Sequence, residues 1–202
     1  MVALLEKKAV KKSERLYSLR EYLEKEEKSV YKHEFHNGKI IRMPGGKFNH
    51  NAISSNLVAA LKYLVKPLPQ KFWVINSDQK IYIEAADKVL YPDALVICEQ
   101  PEFWEDREDL IVNPLVIVEV LSKSTAKYDR GAKFFIYETI PSFKEYVLVE
   151  QDSPLVETWF RETPTTWIKS QETNLNNAIL LRSLGVSVNL VDIYENISFT
   201  QK

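Results

Sequence analysis

The run Pro114–Ser122, PLVIVEVLS, constrains this chain more than any other stretch. It is almost continuously apolar and rich in β-branched residues. That pattern predicts a central strand covered on both faces rather than a half-exposed one. Glu119 breaks it. A carboxylate inside such a strand is costly unless a cation or a hydrogen-bond network meets it.

A second acid sits in a similar setting. Asp93 follows Pro92 and opens the apolar run YPDALVI. Between the two runs lies EQPEFWEDREDLIVN, acidic and expected to be an exposed loop. If the two apolar strands pair as neighbours, both acids fall at one end of one sheet and can share a hard divalent ion. Mg²⁺ (or Mn²⁺) suits such a place, because it takes oxygen ligands, one or two carboxylates among them, and keeps several waters. The backbone carbonyl of Val120 supplies a third protein oxygen. Each acid alone has a plainer explanation: an Asp after Pro caps a turn, and a Glu near a strand end makes an edge ion pair. The pair, one on each of two core strands, favours a site.

Composition removes several alternatives. With 27 basic and 28 acidic residues the net charge is −1, so no strongly basic coat holds nucleic acid by charge alone. An acidic metal site in an enzyme that visits nucleic acid is compatible with that balance. A 45% apolar share is an ordinary globular balance. Cys98 is the single cysteine, which excludes a disulfide framework and a cysteine zinc site. Three histidines without H-x-x-x-H spacing do not make a zinc cluster. Five glycines form neither of the usual phosphate-cradling motifs. No run reaches the roughly 18 to 20 apolar residues of a membrane span. One thiol and no export signal point to the cytoplasm.

Residues 1–30 read as a charged helical arm, with Leu16, Leu19 and Leu23 at helical spacing. Residues 31–202 read as one domain. In YKHEFHNGKIIRM, two extended runs flank Asn37-Gly38, a strong hairpin signal. A helix begins near Asn49 or His50, carries Ile53, Leu57, Leu61 and Leu64 on one stripe, and ends at Pro67. Strands follow in FWVINS, QKIYIEA, the two acid-bearing runs and FKEYVLVE. The tail PLVETWFR, TTWIKSQ, AILLRS, SVNLVDIY reads as a meander. The expected class is mixed α/β (α+β), with a central sheet flanked by helices.

A helix over Thr125–Ile140 follows the Glu119 strand. On a regular wheel Asp129, Lys133, Ile136 and Ile140 share one narrow sector, with Tyr137 beside them. Lys133 is therefore a cation on an apolar stripe. Either it snorkels to a surface ion pair with Asp129, or it points back at Glu119 and Asp93 and stabilises charge on a phosphate.

These residues resemble the Uma2 family (also called DUF820), which is placed in the PD-(D/E)XK nuclease superfamily. The carriers are YPDALVI and PLVIVEVLSKSTAKYDRGAKFFIYETIPSFKEYVLV, within a likeness running from about Tyr31 to Tyr194. The resemblance implies a restriction-endonuclease-like fold and a metal-dependent endonuclease acting on DNA. Asp93 then matches the Asp of the PD element and Glu119 the acid of (D/E)XK. The superfamily's lysine position holds Leu121 here, and Lys133 on the following helix takes over its role. Glu34 matches an upstream family Glu and either completes the acidic cluster or makes an ion pair on its hairpin strand. His50 matches a family His at a helix start, where it either contacts a phosphate or is a satisfied structural histidine. Gln79 opens a strand before the PD element and is a further auxiliary candidate.

Lys123, Lys127 and Arg130 follow the Glu119 strand and are candidate contacts to the DNA backbone. No recognition module is visible. Exposed strand edges and the apolar stripe of the arm suggest a homodimer. Two alternatives stand beside the nuclease: a catalytically inactive binding or assembly module on the same fold, and a hydrolase of small phosphodiesters.

Overall fold

The computed structural model describes residues 15–199. In chain order the elements begin with α1 (Leu19–Glu26), β1 (His33–His36), β2 (Lys39–Arg42), α2 (Phe48–Val65) and β3 (Phe72–Asn76). Next come β4 (Lys80–Ile83), β5 (Lys88–Leu90), β6 (Ala94–Cys98), β7 (Phe103–Trp104), β8 (Arg107–Ile111) and β9 (Val116–Leu121). A broken helix follows: α3 (Ala126–Tyr128), a π-helical turn (Asp129–Lys133) and α4 (Phe134–Tyr137). The chain closes with β10 (Glu145–Glu150), β11 (Val156–Thr163), β12 (Thr166–Glu172), β13 (Ala178–Leu181), β14 (Val186–Asn189) and α5 (Leu190–Ile193).

The strands form two six-stranded mixed sheets rather than one, plus the β13–β14 hairpin. The first sheet runs β2-β1-β5-β4-β8-β7 and the second β12-β11-β10-β9-β6-β3. β9 is central as expected: it pairs in parallel with β10 and antiparallel with β6. All six of its side chains are buried, and they alternate between two cores, as the period of a strand requires. Val116, Val118 and Val120 meet α2, β13, β14 and α5. Ile117 and Leu121 meet the broken helix and the first sheet. Glu119 shares their face.

α2 owes its place to Ile53, Leu57, Leu61 and Val65, a stripe buried at four-residue spacing on the second sheet. Asn56 ties the helix to α5 by donating from Nδ2 to the Ile193 and Glu195 carbonyls, at 3.1 and 3.0 Å. The Asn37-Gly38 hairpin forms between β1 and β2, and both turn residues take positive φ, 47° and 85°. At Gly38 a Cβ would also approach the Leu16 Cβ at 3.0 Å.

Three further expectations change. The expected arm is helical over Leu19–Glu26, and residues 1–14 lie outside the described part. α1 begins at a Ser18–Glu21 capping box and buries Tyr22 and Leu23 against Phe35, Val89 and Leu110 of the first sheet. The acidic segment after β6 is a β7–β8 hairpin, not a loop. Leu110 and Ile111 are fully buried and seat β8 beside β4. The helix expected over Thr125–Ile140 is shorter, and the π-helical turn breaks its wheel. No described helix is long and apolar enough to cross a membrane.

Candidate active site

Asp93 lies one residue before β6, whose Ala94 pairs with Val118 of β9. That pairing brings Asp93 to the end of β9 that carries Glu119, and its charge acts on Glu119. The Asp93 N–H donates to the Val118 carbonyl at 3.1 Å. Its side chain then folds onto the end of the ladder: the Val120 N–H donates to Asp93 Oδ2 at 2.7 Å. A strand residue presents its N–H and C=O to the same neighbour. The Val120 carbonyl therefore faces the edge that β6 vacates, beside Asp93.

α2 fixes the aspartate from the other core. His50 Nε2 lies 2.9 Å from Asp93 Oδ1. Ser54, one turn later, donates its hydroxyl to the Asp93 carbonyl at 3.1 Å. The hydrogen bond to Asp93 raises the pKa of His50 above its ordinary value, against the opposing effect of burial.

Glu119 is 4% exposed and Lys133 6%. Lys133 Nζ reaches Glu119 Oε1 at 2.7 Å and Asp129 Oδ1 at 3.3 Å. The Tyr137 hydroxyl donates to the same Oε1 at 2.9 Å. Both contacts converge on one oxygen of the carboxylate. The Asp129 backbone is held by the Tyr146 hydroxyl, which donates to its carbonyl at 3.2 Å. Burial pulls the Lys133 ammonium toward neutrality, but Glu119 and Asp129 outweigh it and keep it protonated, with Glu34 adding to their effect. Burial raises the Glu119 pKa, opposed by the charge of Lys133. Lys133 and Tyr137 stack four residues apart beyond the π-helical turn, so it is Tyr137, not Ile136, that shares the lysine's direction. π-helical turns of this kind recur at functional sites.

The structure brings together Asp93, Glu119, the Val120 carbonyl, Lys133, Asp129 and His50. Glu34 stands on β1, where His36 Nε2 lies 2.8 Å from Oε2, and it reaches the site through its charge on Lys133. Gln79 stays outside: its amide donates, at 3.4 Å, to the Lys80 and Glu108 carbonyls. Arg130 is held by Glu150 at 2.8 Å and Glu157 at 2.6 Å, so it does not present an open cation. Lys123 and Lys127 are exposed. Sequence reasoning missed Ser54, whose only signal is its four-residue spacing from His50. Of the two readings of His50, a phosphate contact or a satisfied ring, the structure shows the ring meeting Asp93.

Among the described residues, no three His, Cys, Asp or Glu side chains are grouped to hold a metal ion. The oxygens of Asp93, Glu119 and Val120 are nevertheless the set that a magnesium-type ion takes, since such an ion keeps waters for its remaining positions. Hard oxygen donors on two adjacent strands fit that ion and do not fit a thiolate-seeking one.

Comparison with known proteins gives a consistent result. The model of the Uma2 family, described as "Putative restriction endonuclease", matches residues 19–191. Two proteins of Synechocystis sp. (strain ATCC 27184 / PCC 6803 / Kazusa) are similar. "Uncharacterized protein sll1609" is 34% identical over 151 residues, covering 75% of this chain and 84% of its own length. "Uncharacterized protein slr1290" is 33% identical over 181 residues, covering 89% and 92%. The fold matches a crystal structure from Anabaena variabilis ATCC 29413, described as "a putative nuclease belonging to DUF820". The TM-score is 0.66, at 18% identity, over 88% of this chain and 97% of that one. The chain thus shares the fold of that structure, and it belongs to the Uma2 (DUF820) family.

Proposed function

We propose that this chain is a metal-dependent endonuclease that hydrolyses phosphodiester bonds of DNA at the Asp93–Glu119–Lys133 cluster. The observation that supports the reading is Lys133 Nζ on Glu119 Oε1, with the Asp93 carboxylate folded onto the N–H of the next residue, Val120. Asp93, Glu119 and the Val120 carbonyl would hold Mg²⁺ or Mn²⁺. When bound, such an ion neutralises phosphate charge and makes water a better nucleophile at neutral pH.

The chain's own residues then do the positioning. His50 and the Val120 N–H fix both oxygens of Asp93. Tyr137 and Lys133 fix one oxygen of Glu119. Lys133 keeps its positive charge where negative charge builds on the phosphate, so no reorganisation is needed during the reaction. Lys123 and Lys127 lie exposed beside this end of β9 and would meet the DNA backbone, giving affinity without sequence information. A homodimer would place two such sites on one duplex.

The test is plasmid cleavage with Mg²⁺ or Mn²⁺, comparing the native chain with Asp93→Ala and Glu119→Ala. Loss of cleavage in both variants is expected. Cleavage that survives both overturns the reading. One observation favours a second reading, an idle nuclease fold: protein donors already meet both Asp93 oxygens and one of Glu119. Calorimetry separates the two, because an idle module binds no Mg²⁺ or Mn²⁺ in an Asp93-dependent way.

A further inference from the structure

Tyr128 closes α3, immediately before the turn that carries Asp129 and Lys133. Its hydroxyl oxygen is buried and has no hydrogen-bond partner among the described residues. The buried tyrosines elsewhere do not share this condition. Tyr22 donates to the His33 carbonyl at 2.6 Å, Tyr91 to Glu26 at 2.9 Å, Tyr137 to Glu119 at 2.9 Å and Tyr146 to the Asp129 carbonyl at 3.2 Å. Tyr194 donates to the Glu150 carbonyl at 3.1 Å. A buried hydroxyl without a partner costs free energy that a fold ordinarily avoids. Here the cost is borne beside the reactive groups.

The charges that act on Tyr128 come from three elements: Glu34 of β1, Glu119 of β9, and Asp129 and Lys133 of the π-helical turn. Burial, then Glu34, pushes the phenol up to about 12, so it is a neutral donor at ordinary pH. Lys133, the cation of this cluster, is already shared between Glu119 and Asp129. A phosphate entering among carboxylates is repelled by them. A neutral, water-shielded donor attracts it without the desolvation cost of another charge.

We propose that Tyr128 is a catalytic residue of this site, its hydroxyl donating a hydrogen bond to a non-bridging oxygen of the scissile phosphodiester, an inference that rests on the nuclease reading above. The contact exists only when substrate is bound, which is why the hydroxyl lacks a partner in the protein alone.

The test uses the full chain and Tyr128→Phe, which removes one oxygen and keeps the ring. Cleavage of a short labelled DNA duplex in Mg²⁺ is expected to fall about 100-fold or more in kcat/KM. The melting temperature should hold or rise, because no protein hydrogen bond is lost. On a duplex with sulfur replacing one non-bridging oxygen, a poorer acceptor, the penalty of Tyr128→Phe should shrink. Three outcomes overturn the proposal and leave the nuclease reading standing. The variant cleaves like the native chain, or its melting temperature falls in step with activity, or its penalty is the same on oxygen and sulfur duplexes. If the native chain itself does not cleave, the nuclease reading falls and Tyr128 with it.

Discussion

Glu119 and Glu145 are both buried glutamates, on the neighbouring strands β9 and β10, yet their surroundings differ in kind. Glu145 is wholly buried at the start of β10, across from Val116. It accepts from the Arg182 N–H at 3.0 Å, the Ser183 N–H at 2.9 Å and the Ser183 hydroxyl at 2.6 Å. These donors are neutral, they engage both oxygens, and they come from the turn between β13 and β14. Glu145 is a latch that fastens the small hairpin to the sheet. Glu119 meets a cation and a phenol on one oxygen, and the charge of Asp93 acts on it. Burial of an acid therefore says little about its role. The charge of its donors, and which oxygens they engage, separates the anchor Glu145 from Glu119, the acid proposed to react.

The largest expected effect breaks the pair apart in activity. Glu119→Gln should lower DNA cleavage by about a thousand-fold, the loss of the several kcal/mol a held metal contributes. Glu145→Gln should leave the cleavage rate of the folded protein unchanged. Single-turnover cleavage of a labelled duplex, corrected for folded fraction, checks both. Equal losses in the two variants would erase the distinction.

Stability should show the reverse order. Glu145→Ala leaves two backbone N–H groups without partners, at about 1–3 kcal/mol each. Urea unfolding followed by circular dichroism should show a loss of about 2–5 kcal/mol. Glu119→Gln should cost less, because its amide oxygen still accepts from Tyr137 and Lys133, and Asp129 still faces the ammonium.

The same two residues explain what was legible in the sequence. Glu119 stands out because it interrupts an apolar run, and the cost of burying charge is a local signal. Asp93 becomes its partner only through the β6–β9 register, yet two consecutive apolar strands already suggest that pairing. Glu145 gives no such signal: FKEYVLVE starts with polar residues, as an exposed strand end does. Its donors lie 37 and 38 residues later, in a turn whose docking is set by packing. Lys133 was legible as a cation on an apolar stripe, but the wheel assumed a regular helix. The π-helical turn shifts the angular register, so Tyr137 is wholly buried against Glu119 while Ile136 is only partly buried. The first sheet was the least legible part. Leu110 and Ile111 close an otherwise charged segment, and only their tertiary burial turns it into a strand.

Proton linkage sharpens the comparison on a smaller scale. Burial raises the pKa of Glu145 above its ordinary 4.5, against the pull of the Ser183 and Arg182 donors. The folded state then binds this proton more tightly than the unfolded chain. Its contribution to stability is fully present below about pH 4.5 and is lost as pH rises through the folded value. The stability difference between the native chain and Glu145→Gln should accordingly shrink as pH rises from the ordinary carboxylate range. Urea midpoints at a series of pH values test this, and a difference that widens with pH would reverse the assigned cause.

The smallest expected effect applies the same criterion, groups already taken up against groups left open, to the basic residues near the site. Arg130 is partly buried and divided between Glu150 and Glu157. A phosphate would have to displace both carboxylates before it could pair with it. Lys127 is exposed on α3. Lys127→Gln should therefore weaken binding of a short duplex and reduce the slope of log affinity against log salt by about 0.9, the counterion release of one phosphate contact. Binding is measured in Ca²⁺ so that the duplex stays intact. Arg130→Gln should leave that slope unchanged, since its charge is already neutralised within the protein. A lower slope in Arg130→Gln with none in Lys127→Gln would mean that DNA breaks the Glu150–Arg130–Glu157 bridge on binding, and that an internal ion pair at this end of the sheet is exchangeable rather than structural.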